Sequence, residues 1–263
     1  MKTTASPLET ITRKWWFYLL VICAQFILFP VATRNFSIND AGRIIQTTLG
    51  NALIFRLASF FPYIQILTLL CLLALFILKD KFSKPFSAYV AFTYVLFALV
   101  QNTAWTDTYG LSLVTVNILM FSGIAFVWFR EALHPRTVYT FRNFNWKTVW
   151  MIPLALLAFW TPLDLHTLHF DFTGRAFLTN GSALTFCMMT PVYLTLLTLN
   201  MPSVNRTVYR ITAFIGIILG CYNMFNFFNP YTVNLGILHL PLLIISIYSF
   251  AYSFTCKISI SNH

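Results

Sequence analysis

The stretch Trp160–Arg175, WTPLDLHTLHFDFTGR, is where acidic and histidine side chains gather: Asp164, His166, His169 and Asp171 fall within eight residues. Carboxylates and neutral imidazoles are the usual ligands of zinc, copper and non-haem iron. An H-x-x-H spacing can converge on one ion where the backbone is helical or turned. A divalent metal is therefore the cofactor this cluster would call for, and His166 or His169 could instead move a proton in acid–base chemistry. No E-x-x-H or H-E-x-x-H accompanies them. Polar side chains also collect in any wet interfacial loop without binding anything.

A second constellation is spread over four apolar runs. Gln101 and Asn102 close one of them, while Asn223 and Asn226 stand i, i+3 in another and share a helix face. Gln101 and Asn223 lie 122 positions apart, and so do Asn117 and His239, and Tyr109 and Tyr231. Asn117 and His239 each follow their tyrosine by eight residues, which is about 12 Å of helix at 1.5 Å per residue. Polar groups at such a depth turn from lipid toward the bundle interior or a water-filled cavity. With Arg56, the one charge read as lying inside an apolar run, they give a candidate ligand pocket: Arg56, Gln101, Asn117, Asn223, Asn226 and His239. Trp105, Tyr109, Phe227, Phe228 and Tyr231 would cover the apolar parts of a ligand. Each feature has a plainer use. Buried amides join helices at about 0.6 kcal/mol per bond, an arginine near a helix end snorkels, and aromatics form interfacial belts.

The elements that must position these residues follow from composition. The 263-residue chain is 58% hydrophobic, 18% aromatic and 9% charged, with mean hydropathy +0.73. Soluble domains carry about 25% charged residues, so lipid rather than water must cover the surplus apolar surface. Eight apolar runs, about 15–33, 52–78, 87–106, 111–129, 148–165, 178–200, 211–228 and 233–255, use most of the length. Each is expected to be helical, because an unpaired backbone group in hydrocarbon costs several kcal/mol and barrel strands need only about ten alternating residues. Pro30, Pro62, Pro153, Pro162, Pro191 and Pro241 fall inside runs, where membrane helices tolerate a kink. The expected fold is all-α: a single integral membrane domain of about eight transmembrane helices.

Charge orients it. Alternate connections, counted from the N-terminus, hold 13 of the 17 basic residues, and only Arg34, Arg43, Arg56 and Arg175 fall in the others. The positive-inside rule then puts both termini in the cytoplasm, and the expected location is the plasma (cell inner) membrane. The same dispersal accounts for the net charge of +10 without nucleic acid. Loop lengths, prolines and the matched tyrosines also suggest two parallel four-helix repeats, 15–130 and 146–255. Of the cysteines Cys23, Cys71, Cys187, Cys221 and Cys256, none forms C-x-x-C, and packing as small hydrophobes is their expected role.

Absences narrow the function. No Asp or Glu lies deep in a run, so the usual carboxylate relay for protons or sodium is missing. There is no Walker A, no G-x-G-x-x-G, no nucleophile elbow and no C-x-x-C-H. The expectation is a multi-pass protein that binds a small molecule at an outward-facing pocket, for facilitated or weakly coupled transport. The alternatives are a membrane enzyme or enzyme subunit working at the 164–171 loop, or an accessory subunit packing on membrane partners or on further copies of itself.

Overall fold

The computed structural model describes residues 7–141, 146–164 and 167–255. His166, Arg142, Lys2, Lys257 and Cys256 lie outside the described residues. A one-turn helix α1 (Pro7–Ile11) precedes α2 (Trp15–Ile27), strand β1 (Val31–Ala32) and helix α3 (Ala41–Gly50). A 3-10 turn, Leu53–Phe60, runs into α4 (Phe61–Leu78), and a second, Lys79–Phe82, leads to α5 (Ser83–Leu99). Strands β2 (Thr103–Thr106) and β3 (Gly110–Leu113) come before α6 (Thr115–Leu133). Then follow α7 (Trp146–Val149), α8 (Met151–Trp160), α9 (Gly174–Thr179), α10 (Phe186–Leu199), α11 (Arg206–Asn223) and α12 (Val233–Thr255).

Four stretches are long and apolar enough to cross a membrane: Leu53–Leu99, Thr115–Leu133, Arg206–Phe228 and Val233–Thr255. A fifth arises if the bent pair Gly174–Leu184 and Phe186–Leu199 counts as one. The first of these has 47 residues, roughly 70 Å if straight at 1.5 Å per residue, about twice a bilayer core. It is not straight. Lys79 takes φ 53, and the chain returns so that the Thr68 hydroxyl meets Tyr89 OH at 2.6 Å and Ile54 N–H donates to the Val100 carbonyl at 3.3 Å.

Contacts of this kind sort the helix ends into two groups. At one end the Ser83 hydroxyl donates to the Thr137 carbonyl, Val138 N–H donates to that of Ser203, Tyr248 OH donates to that of Lys147, and Arg210 lies over Phe254. At the other end Gln65 meets Ser182, Gln101 meets Phe186, Asn234 meets Leu168, and Ala52 bridges Ala104. Helices α2, α4, α5, α6, α8, α10, α11 and α12 therefore alternate in direction between the two ends. The first end carries Arg13, Lys14, Lys79, Lys81, Lys84, Arg130, Arg136, Lys147, Arg206 and Arg210, and the second Arg34, Arg43, Arg56 and Arg175.

Helix α10 is the core: every residue of its 14 except Leu196 is buried. Aromatic side chains of α5 and α6 pack on it, with Phe121 stacked on Phe186 at 4.2 Å and Tyr94 5.8 Å from Tyr193. Helices α11 and α12 close against each other where Gly216 and Gly220 leave room. A Cβ at Gly216 would come 2.2 Å from Ser246 Oγ, and one at Gly220 3.0 Å from the Leu243 backbone. This G-x-x-x-G spacing is a close-approach face of the kind membrane helices use. Outside this core, α4 turns Leu67, Leu70, Leu73, Phe76 and Ile77 outward, each at least half exposed. A continuous apolar face of that kind is untenable in water and natural in hydrocarbon.

Two expectations are corrected in detail. The run at 15–33 is helical only to Ile27, because Pro30 and an extended Leu28 lead into β1. The runs at 87–106 and 111–129 stop and start at Leu99 and Thr115. The segment between them forms a hairpin (Trp105 opposite Leu111, Thr106 opposite Gly110) whose β3 also pairs with β1 through Val31 opposite Leu113. Its β-branched and aromatic residues pack well on a pleated surface. The halves also pack differently. Tyr18 of α2 lies on Phe214 and Phe250, 4.7 and 5.1 Å away, in the opposite half. Helix α8 packs chiefly within its own half: the Phe159 carbonyl accepts from Ser182 Oγ, and Trp150, just before the helix, lies 5.1 Å from Tyr248, while Gln65 Nε2 of the first half reaches the same carbonyl at 3.5 Å.

Candidate functional site

The second constellation converges on the start of α10. The chain entering it bends by 85° between Gly174–Leu184 and Phe186–Leu199. Gly181 takes φ 68 there, a left-handed conformation, and any Cβ would press on the Phe61 ring at 2.7 Å. Thr185 is extended (φ −120, ψ 133), which starts the new helix at Phe186. The Phe186 N–H, which has no acceptor within the first turn of its own helix, donates to Gln101 Oε1 at 2.9 Å, so Gln101 caps α10 from a neighbouring element. Beside it, buried Asn102 accepts from Asn117 Nδ2 at 2.8 Å, donates to the Phe97 carbonyl at 2.7 Å, and takes Val114 N–H on its own carbonyl.

From α11, Asn223 Nδ2 donates to the Leu219 carbonyl at 2.8 Å and approaches Cys187 Sγ at 3.7 Å, next to Phe186. Asn226 donates to the Asn223 carbonyl at 2.9 Å. The contacts of Gly216 with Ser246 and of Gly220 with Leu243 set an antiparallel register that brings buried His239 level with Asn223. His239 Nδ1 lies 2.7 Å from the Leu235 carbonyl. A carbonyl only accepts, so Nδ1 carries a hydrogen directed at it, which leaves Nε2 to face other groups. Gln101, Asn102 and Asn117 are thus one cluster, Asn223 reaches the same helix start, and His239 stands at the same height. Arg56 is not part of it: it is exposed on the 3-10 turn Leu53–Phe60.

Sequence reasoning passed over two sets of residues here. Gln65, 1% exposed, donates to Ser182 Oγ at 3.0 Å and accepts Ala183 N–H at 3.2 Å, pinning the bend from α4. Along α10 runs a strip of hydroxyls: Thr190 with Tyr94, Tyr193 with Thr93, and Thr198 with Tyr209 and Ser249. Among the described residues, Thr195 Oγ1 and Ser246 Oγ are buried without a hydrogen-bond partner. The helical spacing of these Thr, Ser and Tyr residues was the available signal. The interior is therefore polar but uncharged along this helix.

In the Asp164–Asp171 loop the structure finds turn chemistry. Asp164 N–H donates to the His169 carbonyl at 3.0 Å, Leu168 N–H to that of Asp164 at 2.8 Å, and Asp171 Oδ1 accepts Thr173 N–H at 2.9 Å. Asp164 and His169 are exposed. Among the described residues no three His, Cys, Asp or Glu side chains come together to hold a metal ion, and His166 falls outside them.

The buried charges are elsewhere, which corrects the reading of Arg56 as the charge inside a run. Arg210, expected in a connection, lies in α11 at 2% exposure, with its guanidinium 4.7 Å from the Phe254 ring centre and Nη2 3.3 Å from the Ser253 carbonyl. Glu131, at the end of α6 and 1% exposed, accepts the N–H groups of Arg136 and Thr137 on Oε1 at 2.8 and 2.6 Å, and Asn205 Nδ2 on Oε2 at 2.6 Å. Burial, and then the Glu131 charge, push the neighbouring Tyr139 hydroxyl well above its ordinary pKa, so it stays protonated.

These features define the class: an all-α chain whose four or five long apolar helices can cross a membrane. Comparison with protein-family models, curated proteins and solved structures finds no match.

Proposed function

We propose that the chain crosses the plasma (cell inner) membrane eight times, with both termini and the basic helix ends in the cytoplasm, and binds a small polar molecule at its outer end. The two short apolar helices, Trp15–Ile27 and Trp146–Trp160, complete the count with their flanking residues, and the alternation of helix directions supports it. The order and direction of helices, rather than their packing, support reading 15–130 and 146–255 as parallel repeats.

One observation carries the ligand reading: the 85° break before α10, onto which Gln101 and Asn223 converge from two other elements. Broken helices in transporters place a helix start and its backbone amides at the substrate. Here the surrounding groups are amides, hydroxyls and His239, which suits an uncharged polar solute. Facilitated or weakly coupled passage along the hydroxyl strip fits the lack of an acidic residue on α10.

The test uses purified chain in liposomes and osmotic swelling by light scattering, with glycerol, urea, monosaccharides and neutral amino acids as probes. At least one solute should enter faster than through protein-free vesicles. Asn223→Leu should slow its entry roughly five- to tenfold, as for one lost hydrogen bond of about 1–1.5 kcal/mol, with an unchanged unfolding temperature. Equal swelling with and without protein across the panel would reject the reading.

A further inference from the structure

A cleft of about 90 Å³ opens at the opposite, basic end of the bundle. It is lined by Leu8, Val127, Arg130, His134, Arg136, Asn205, Thr207 and Val208. Its walls differ in kind. Arg130, His134 and Arg136 are exposed side chains at the end of α6 and in the segment after it, while Val127, Thr207 and Val208 are buried. Asn205, Thr207 and Val208 form the N-cap and first turn of the 18-residue α11, whose amide groups and dipole make that terminus positive.

We propose that this cleft binds a phosphate-bearing group, with Arg130 and Arg136 as its principal partners. The reasons are chemical and geometric. Guanidinium groups pair with phosphate through two parallel hydrogen bonds. Two of them, with an imidazole, face the start of a long helix across one cleft, and helix starts bind anions. The acidic group nearest by is accounted for. Glu131 is buried and accepts from Arg136 N–H, Thr137 N–H and Asn205 Nδ2, so its charge holds the segment that presents Arg136. Glu9 sits on α1 with Leu8, and neither carboxylate is among the residues that line the cleft, where two arginines and a histidine stand. Leu8, Val127 and Val208 give the cleft an apolar side, as a phospholipid headgroup with the start of its acyl chains requires. Free phosphate esters share the same charged chemistry. The site is independent of the outer-end reading, since it needs only that this end of the bundle be accessible.

The experiment uses full-length protein in nanodiscs of neutral phosphatidylcholine and measures two things: binding of inorganic phosphate by calorimetry, and retention of phosphatidylglycerol from mixed lipid by native mass spectrometry. R130Q/R136Q should weaken whichever ligand binds by roughly 25-fold, taking about fivefold for each basic side chain. R130K/R136K should recover part of the loss, since Lys keeps the charge and loses the fork. K81Q/K84Q removes the same charge from the same end, outside the cleft, and should change binding less than threefold, well below the effect at the cleft. Tight binding of phosphate identifies a soluble ligand, and retention of phosphatidylglycerol alone identifies a headgroup. The proposal is overturned if neither binds, or if K81Q/K84Q weakens binding as much as R130Q/R136Q does, because a diffuse basic surface would then explain the attraction.

Discussion

Exchanging Glu131 with its side-chain partner Asn205 tests how the basic end is held together. Glu131 Oε1 takes two backbone N–H groups and Oε2 takes Asn205 Nδ2, while Asn205 Oδ1 takes Thr207 N–H at 3.0 Å and so caps α11. In Glu131→Gln the carbonyl oxygen can still accept the backbone pair, but its amide then faces the Asn205 amide, donor against donor. Asn205 cannot turn over without giving up the cap. One charge-assisted bond is lost with two donors left buried, a cost of about 1–3 kcal/mol. For a chain of this size that is a fall of roughly 2–12 °C in unfolding temperature, at 2–4 °C per kcal/mol. Asn205→Asp keeps the cap but sets a carboxylate against Glu131, and should cost a similar amount. The double variant E131Q/N205D restores the pair with donor and acceptor exchanged and should recover most of the stability. Thermal unfolding of the three variants in detergent, followed by tryptophan fluorescence, reads the cycle. If the double variant falls by the sum of the singles, the geometry assigned to Glu131 and Asn205 is wrong.

Two further outcomes follow from the packing and the loop. Gly220→Leu should destabilise by about 1–3 kcal/mol through overpacking against the Leu243 backbone, whereas Gly123→Leu, with nothing within 4 Å of its Cβ position, should be nearly neutral in the same unfolding assay. In the polar loop, where Asp164 and Asp171 serve turns, H166A/H169A should leave the metal content of purified protein unchanged by elemental analysis. Stoichiometric metal in the unsubstituted chain that disappears in the variant would refute this.

The long apolar helices were legible in the chain because such helices are written as long apolar runs. The start and stop of each helix was less so. QNTAWTDTYG carries polar residues and aromatics that fit a helix end or a strand, and only the pairing of Thr103–Thr106 with Gly110–Leu113 decides for strand. Gln101 and Asn223 could be picked out as buried amides, but their meeting point at Phe186 and Cys187 depends on the bend before α10. Arg210 and Glu131 looked like loop charges because they adjoin connections, and their burial comes from tertiary packing under Phe254 and around Asn205. The G-x-x-x-G of α11 and the hydroxyls of α10 were present as patterns. Their significance rests on which helix faces them.

The most direct test of the account is the side of the membrane on which each end of the bundle lies. In a background with the five cysteines replaced, single cysteines at positions 169 and 82 are exposed in intact cells to a membrane-impermeant maleimide. The account predicts labelling of 169 and none of 82 until the cells are opened. Labelling of 82 but not 169 in intact cells would invert the topology and contradict an outward-facing ligand site.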